Sequence, residues 1–329
     1  MFSNKSLIGI LFIGMLFAAC SESTTINTPS LEADSPNIVE QGININNSSE
    51  NLRGFSLDDI QSMEDINEEL ADRGANVRIA YAETVTPGHG AEATGQTIVA
   101  NDRNKRLDAQ WVPGDERRNA DGNNLTYLID QTWMPANFNT GNEVDGNDAI
   151  DASFDTWNSV KKNSKLNIVK REDPGEQPSA FFLGGNPYLA DISIIGFMPP
   201  ILLEFLLGAN PENVLGVTLT SVFVDDDGNP TDINNDGYAD VAFKEVWYND
   251  GFTWTTDPNG AGTDIETVAL HENGHALGFG HFGKVFFTGN GKLHVASRAV
   301  MNAVILGTQR ELLGTDNASY NSIYGSWPK

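Results

Sequence analysis

The chain has 329 residues, a length that suggests two domains or one large domain with additional segments, and with 40% hydrophobic residues it can bury a core. It carries 45 Asp and Glu against 20 Lys and Arg, a net charge of -25. This balance argues against nucleic acid, because phosphate binding needs clustered cations, and against docking on an anionic membrane through a basic patch.

The first 55 residues have the pattern of an export signal followed by a tether. Lys5 precedes an apolar run over residues 7–19, which is too short to span a bilayer and is typical of a signal-peptide core. The run ends at Cys20, the single cysteine of the chain, in a pattern that resembles a bacterial lipobox. We predict a signal peptide over 1–19, lipid attachment at Cys20 and a disordered tether over 20–55. A secretory signal with Cys20 incidental is the alternative.

Residues 56–122 form an N-terminal extension or a propeptide, and the sequence leaves both open. An apolar stripe predicts a helix that Ser56 caps and Gly74 ends. Alternation over residues 77–85 predicts a strand, and a second short strand is expected over 96–100.

From residue 123 onwards the pattern is α+β, and we predict one domain over 123–329. Aromatic and aliphatic residues at helical spacing predict a helix around Phe154 and Trp157. Further helices are predicted over 263–277 and 315–324. Strands are predicted over 125–130, 166–170, 190–197, 214–224 and 240–248.

Three of the five histidines fall within eleven positions. On a helix, residues four apart share a face, so His271 and His275 can bind one ion. Gly278 can adopt the left-handed conformation that ends a helix, and the chain then turns back to supply His281. Three imidazole nitrogens leave one position open, as in catalytic zinc sites. Thr263 and Glu266 form a possible capping box at the start of this helix.

Glu272 follows the first ligand but points about 100° around the helix, away from the two-histidine face. This position suits a general base that takes a proton from water activated by zinc and then passes it to a leaving amine. We therefore predict a zinc-dependent endopeptidase with Glu272 as the catalytic residue.

The segment from His271 to His281 resembles the extended motif of the metzincin metallopeptidases, His-Glu-x-x-His-x-x-Gly-x-x-His. Met301, twenty residues after His281, resembles the methionine of the metzincin Met-turn. Within the metzincins, the helix around Phe154, the strand Ala190-Asp191-Ile192 and the last helix resemble the matrixin group. The resemblance covers residues 123–329. It implies a twisted mixed sheet, an active-site helix, a Met-turn, a C-terminal helix, and a substrate strand along residues 214–224.

The sequence departs from the matrixins in two places. Phe282 stands where they commonly have Ser, and residues 302–305 lack the Pro and Tyr that shape their specificity pocket. Peptide specificity is therefore not transferred from the family. No cysteine remains for a cysteine switch, so any latency must depend on another group.

An Asp-x-Asn-x-Asp-Gly loop predicts a structural Ca²⁺ site, because alternating side-chain oxygens and one backbone carbonyl can surround an ion. The predicted ligands are Asp232, Asn234, Asp236, Tyr238 and Asp240. Position 243 is Phe, so the loop lacks the bidentate Glu of an EF-hand. An acidic turn without calcium is the alternative.

Together these patterns predict an exported, monomeric enzyme that acts on protein or peptide substrates. It would be either a bacterial lipoprotein, held at the outer membrane or cell surface by its N-terminal lipid alone, or a secreted protein. The rival from another class is a calcium-stabilised surface adhesin with a vestigial zinc site. Glu272 argues against it, since a purely structural zinc needs no base.

Overall fold

The structure is a computed structural model that describes residues 62–88, 106–118, 122–137, 139–140, 142–160, 164–176, 186–207, 211–288 and 292–328. The predicted signal peptide, Cys20, the tether and the predicted strand over 96–100 lie outside the described residues. Among those described, no helix is long and apolar enough to cross a membrane.

The described chain is of the mixed α+β class. Its helices are α1 (Met63–Asp72), α2 (Asn147–Asn158), α3 (Pro200–Leu207), α4 (Ile265–Ala276) and α5 (Gly314–Tyr324), with a 3-10 turn at Pro211–Asn213. Its strands are β1 (Val77–Pro87), β2 (Ala109–Gln110), β3 (Leu125–Leu128), β4 (Ile168–Arg171), β5 (Ile192–Met198), β6 (Gly216–Phe223), β7 (Ala239–Asn249), β8 (Trp254–Thr255), β9 (Thr263–Asp264), β10 (Lys284–Phe287), β11 (Leu293–Ala296) and β12 (Val304–Ile305).

One mixed, twisted sheet organises the fold, in the order β12-β1-β6-β7-β5-β3-β4 with β2 beside β7. The strands β4, β3, β5 and β7 are parallel, and β6 runs antiparallel to β7. Antiparallel pairing continues from β6 to β1, which in turn pairs in parallel with β12. The five strands predicted between residues 125 and 248 are all confirmed, with ends shifted by a few residues.

The two faces of the sheet bury separate apolar clusters. Helices α2 and α4 cover one face, where Phe154 stacks on Tyr127 at 3.9 Å between ring centroids. Helices α1 and α3 cover the other face, where Ile66 and Leu70 of α1 pack among aliphatic side chains of β1 and β6. Because both faces are covered, the central strands have few exposed side chains, which explains their near-continuous hydrophobic sequences.

The helix ends differ from the predictions in two places. Helix α1 begins at Met63 after its N-cap Ser62, whose hydroxyl accepts the Asp65 amide, and the predicted cap Ser56 lies outside the described residues. Helix α4 is capped by Asp264, which accepts the Thr267 amide at 2.8 Å, and the predicted Thr263–Glu266 capping box is wrong. Asp264 is the favoured N-cap because, besides accepting an amide, its negative charge is stabilised by the positive end of the helix dipole. Helix α3 was not predicted, since its apolar run is short.

Candidate metal centre

Helix α4 carries the first two histidines and ends just before Gly278, a residue that can adopt the left-handed conformation. Gly278 has a φ of +85°, the left-handed region predicted for it, and its amide donates to the His275 carbonyl at 2.8 Å. The Phe279 amide donates to Gly274 at 3.0 Å. The reversal that follows brings His281 back towards α4.

The ring nitrogens of the three histidines converge on one point. The Nε2 atoms of His271 and His275 lie 3.0 Å apart, and those of His275 and His281 lie 3.2 Å apart. In the part of the chain that the structure describes, this is the only group of three or more His, Cys, Asp or Glu side chains close enough together to hold a metal ion. The structure therefore places His271, His275 and His281 in one site, as the sequence predicts.

Hydrogen bonds at the far side of two rings fix their tautomers. His271 Nδ1 lies 2.7 Å from the Val300 carbonyl oxygen, and His275 Nδ1 lies 2.7 Å from that of Phe279. A carbonyl oxygen can only accept, so each Nδ1 carries a proton and each Nε2 presents a lone pair. Two lone pairs 3.0 Å apart repel each other unless a cation lies between them. The donor set thus fits a metal ion.

Burial keeps all three imidazoles in the neutral form that metals bind. It lowers the pKa of His271 to about 3 and that of His281 to about 4, and it holds the pKa of His275 well below its usual value. Neighbouring histidines add to the effect at the two helical positions. No proton therefore competes with a metal at these nitrogens near neutral pH.

Glu272 lies beside this centre without joining it. The Thr218 hydroxyl on β6 donates to Glu272 Oε2 at 2.6 Å, whereas Oε1 is buried and has no hydrogen-bond partner among the described residues. Gly216 makes room for the side chain, because a Cβ there would lie 2.9 Å from Glu272 Cγ. Burial raises the pKa of Glu272 well above its usual value, and the Thr218 hydroxyl opposes that shift. One carboxylate oxygen is thus anchored and the other is free to accept a proton.

Met301 packs directly beneath the metal-binding segment of α4. A Cβ built on Gly274 would overlap Met301 Sδ, so the thioether fills the space under the helix between the two histidines. The preceding residue, Val300, supplies the carbonyl that orients His271. The turn thus positions a ligand in two ways, by packing and by a hydrogen bond.

We expect Gly274→Ala to destabilise the protein by about 1–3 kcal/mol, the usual cost of forcing a methyl group into a packed core. Thermal unfolding measured with and without added metal checks this. Gly314→Ala is the matched control, because nothing lies within 4 Å of a Cβ at that position. Equal melting temperatures for the two variants would contradict the packing of Met301 against α4.

Asp316 clamps the Met301 turn from the start of α5, a role not foreseen from the sequence. Its carboxylate accepts the amides of Val300 at 3.0 Å and Met301 at 3.3 Å, and that of Leu313 at 2.9 Å. The only sequence signal was an acidic residue in the first turn of a predicted helix.

Two charged residues near the histidines were not predicted from the sequence. Lys244 on β7 is fully buried and donates from Nζ to the His275 carbonyl at 2.8 Å, and burial lowers its pKa to about 7. Glu83 on β1 places a carboxylate oxygen 3.8 Å from His281 Nδ1. Neither position stands out in a single sequence, because an alternating strand often carries one charge.

The predicted calcium loop adopts a tight turn closed by its own side chains. Asp232 accepts the amides of Asp236 and Gly237, and Asp236 accepts the amide of Tyr238. Asn234 donates to Asp236 at 3.1 Å.

Asp240, the fifth predicted ligand, is fully buried at the base of the loop. Arg117 donates to its carboxylate at 2.7 Å, and the Thr231 hydroxyl does so at 2.6 Å. The guanidinium of Arg117 therefore already neutralises the Asp240 carboxylate. Calcium binding by the loop stays a prediction that depends on its other four residues.

No protein-family model and no curated protein matches the chain.

Proposed function

We propose that the protein is a zinc-dependent endopeptidase of the metzincin type, similar to the matrixins. The observation that carries the proposal is the pairing of three convergent, neutral imidazoles with a carboxylate that has one anchored oxygen and one unpartnered oxygen. A purely structural site, as in the adhesin alternative, has no use for such a base.

The donor set narrows the choice of metal without fixing it. Neutral imidazoles suit zinc, copper, iron and nickel, and the absence of carboxylates from the set disfavours magnesium and calcium. Zinc is the proposal because three histidines with an adjacent glutamate form the arrangement of zinc hydrolases. When bound, zinc acts as a Lewis acid that polarises a carbonyl oxygen and makes water more acidic.

The residues of the chain divide the remaining work. His271, His275 and His281 hold the metal, and the carbonyls of Val300 and Phe279 fix the direction of two of these rings. Glu272 takes a proton at Oε1 from the attacking water and later returns it to the leaving amine. The Thr218 hydroxyl binds Oε2, and this contact fixes the position of Oε1, the atom that accepts the proton.

The sheet supports the family proposal. Helix α4 packs over the sheet beside β6, whose Thr218 contacts Glu272. Met301 lies under the helix, as the resemblance to a Met-turn implies. The export, lipid attachment at Cys20 and monomeric state predicted from the sequence complete the proposal.

Proteolysis of casein with and without a chelator tests the function. We expect the chelator to abolish cleavage, zinc to restore it, and elemental analysis of the active protein to give one zinc per chain. Cleavage that persists after full removal of metal would refute the proposal.

A further inference from the structure

Strand β1 lies along the edge of β6, next to the metal centre. The pairing is antiparallel and runs from Val77 opposite Phe223 to Val85 opposite Gly216. Beyond that point Thr86 and Pro87 pair in parallel with β12, opposite Val304 and Ile305. Because β12 has no other strand partner among the described residues, β1 fills a slot one strand wide between β6 and β12.

A slot of this width, bordered by two strands, is where an extended peptide would bind by strand addition. The border on one side is β6, which carries Thr218 and so lies against Glu272. The border on the other side is β12, which follows Met301 by three residues. The metal centre thus lies beside the part of the slot where β1 passes from β6 to β12, and β1 occupies the course that a substrate would take.

With β1 in place, Glu272 and two of the three histidines have no access to solvent. His271, His275 and Glu272 are all 0% exposed. Val85 of β1 is also fully buried and belongs to the same apolar cluster as Met301. Val85 pairs with Gly216, where an added Cβ would lie 2.9 Å from Glu272 Cγ, so this part of β1 lies beside the Glu272 side chain. A peptide cannot reach Glu272 until this part of β1 moves.

Glu83 of β1 also lies at the centre. One of its carboxylate oxygens is 3.8 Å from Nδ1 of the neutral His281, and its negative charge raises the pKa of the buried Lys244 against the larger effect of burial. Glu83 belongs to β1, the strand that would have to leave the edge of β6 before a peptide could bind there.

We propose that residues 77–87 are a built-in inhibitor that occupies the substrate edge of β6, and that the enzyme is latent until this strand leaves. The inference rests on the proposed function, and it assigns latency to a strand with Val85 and Glu83 at the metal centre. Displacement of the strand opens the slot between β6 and β12 to an extended peptide.

A reversible disulfide between β1 and β6 tests the inference in the whole chain. Thr84 and Val217 are direct partners across the two strands, and both changes to cysteine are small in volume. Thr84→Cys and Val217→Cys are combined with Cys20→Ser, so that these two are the only thiols. The zinc-loaded protein is titrated calorimetrically with a peptide hydroxamate, whose backbone needs the edge of β6 and whose head group needs the metal.

We expect the oxidised protein to bind the hydroxamate at least about tenfold more weakly than the reduced protein, because the lock removes the open state from the population. Each single-cysteine variant should bind equally under oxidising and reducing conditions. Equal binding by the locked and unlocked protein would overturn the inference, and so would an absence of binding to the reduced, zinc-loaded protein.

Val85→Asp tests the inference from the other direction. A carboxylate at this buried position disfavours the closed arrangement, so we expect tighter hydroxamate binding than in the wild type. Casein cleavage by the same samples separates the two proposals. A reduced protein that binds hydroxamate without cleaving casein would refute the peptidase and leave the latent strand intact, whereas equal cleavage in both redox states would refute latency alone.

Discussion

Glu272→Gln should keep one zinc per chain and lose peptide cleavage by about 10²- to 10⁴-fold, the range that general acid–base catalysis contributes. Cleavage is measured by steady-state assay beside the wild type under the same conditions, and zinc by elemental analysis. The two measurements together separate loss of chemistry from loss of metal.

The reason lies in the two oxygens of this carboxylate. Oε2 accepts the Thr218 hydroxyl at 2.6 Å, and Gln can preserve that bond through its own amide oxygen. Oε1 has no partner among the described residues, and it is the atom that Gln replaces with a group unable to accept a proton at neutral pH. The shape of the site is therefore kept while the base is removed.

Glu266→Gln is the matched control, because it changes the same residue type on the same helix away from the histidines. Glu266 pairs with Arg310 at 2.9 Å, an ion pair whose loss should cost little at a partly exposed position. Its cleavage rate should stay close to that of the wild type. Normal turnover by Glu272→Gln, with the control behaving as expected, would exclude Glu272 as the base.

His281→Ala should weaken zinc binding by more than about 100-fold, since changes to outer-shell partners alone cost up to that much. Of the three histidines, His281 is the best one to remove, because it lies after the helix and its side chain is 17% exposed. Its loss leaves two nitrogens, too few to complete the three-ligand set of a catalytic zinc.

The readout for this variant does not require activity. A ligand that binds only the folded state stabilises it by about 2.7 kcal/mol at a concentration of 100 Kd, so zinc should raise the melting temperature of the wild type. The same zinc concentration should leave His281→Ala almost unchanged. His294→Ala, an exposed histidine on β11, is the control and should respond to zinc as the wild type does. An equal zinc response from His281→Ala would show that the third ligand is wrong.

Local spacing made the histidine cluster and its helix predictable. Helical periodicity puts His271 and His275 on one face whatever the rest of the chain does, and Gly278 ends the helix through a property of its own backbone. The strands of the sheet were predictable for a similar reason, since alternation and apolar runs are local patterns. The sequence also identified Met301, though only because it resembles a known motif.

The partners that orient the site belong to the tertiary structure alone. Thr218 reaches Glu272 from a strand 54 positions earlier, and Asp316 reaches the Met301 turn from the following helix. Both are ordinary polar residues whose roles depend on how α4, β6 and α5 pack. The caps of α1 and α4 were misplaced because several polar residues near each helix start could serve, and packing selects one.

The position of β1 could not be predicted from local sequence patterns. Its alternation from residue 77 predicts a strand, and that prediction is confirmed. Alternation says nothing about which edge a strand joins, because any open edge offers the same backbone hydrogen bonds. By itself, the sequence determined the cluster of three histidines with Glu272 beside it, and the strands, since these follow from local spacing along the chain. Only the tertiary structure decided that β1 lies between β6 and β12 over the metal centre, because that choice depends on pairings between segments more than 130 residues apart.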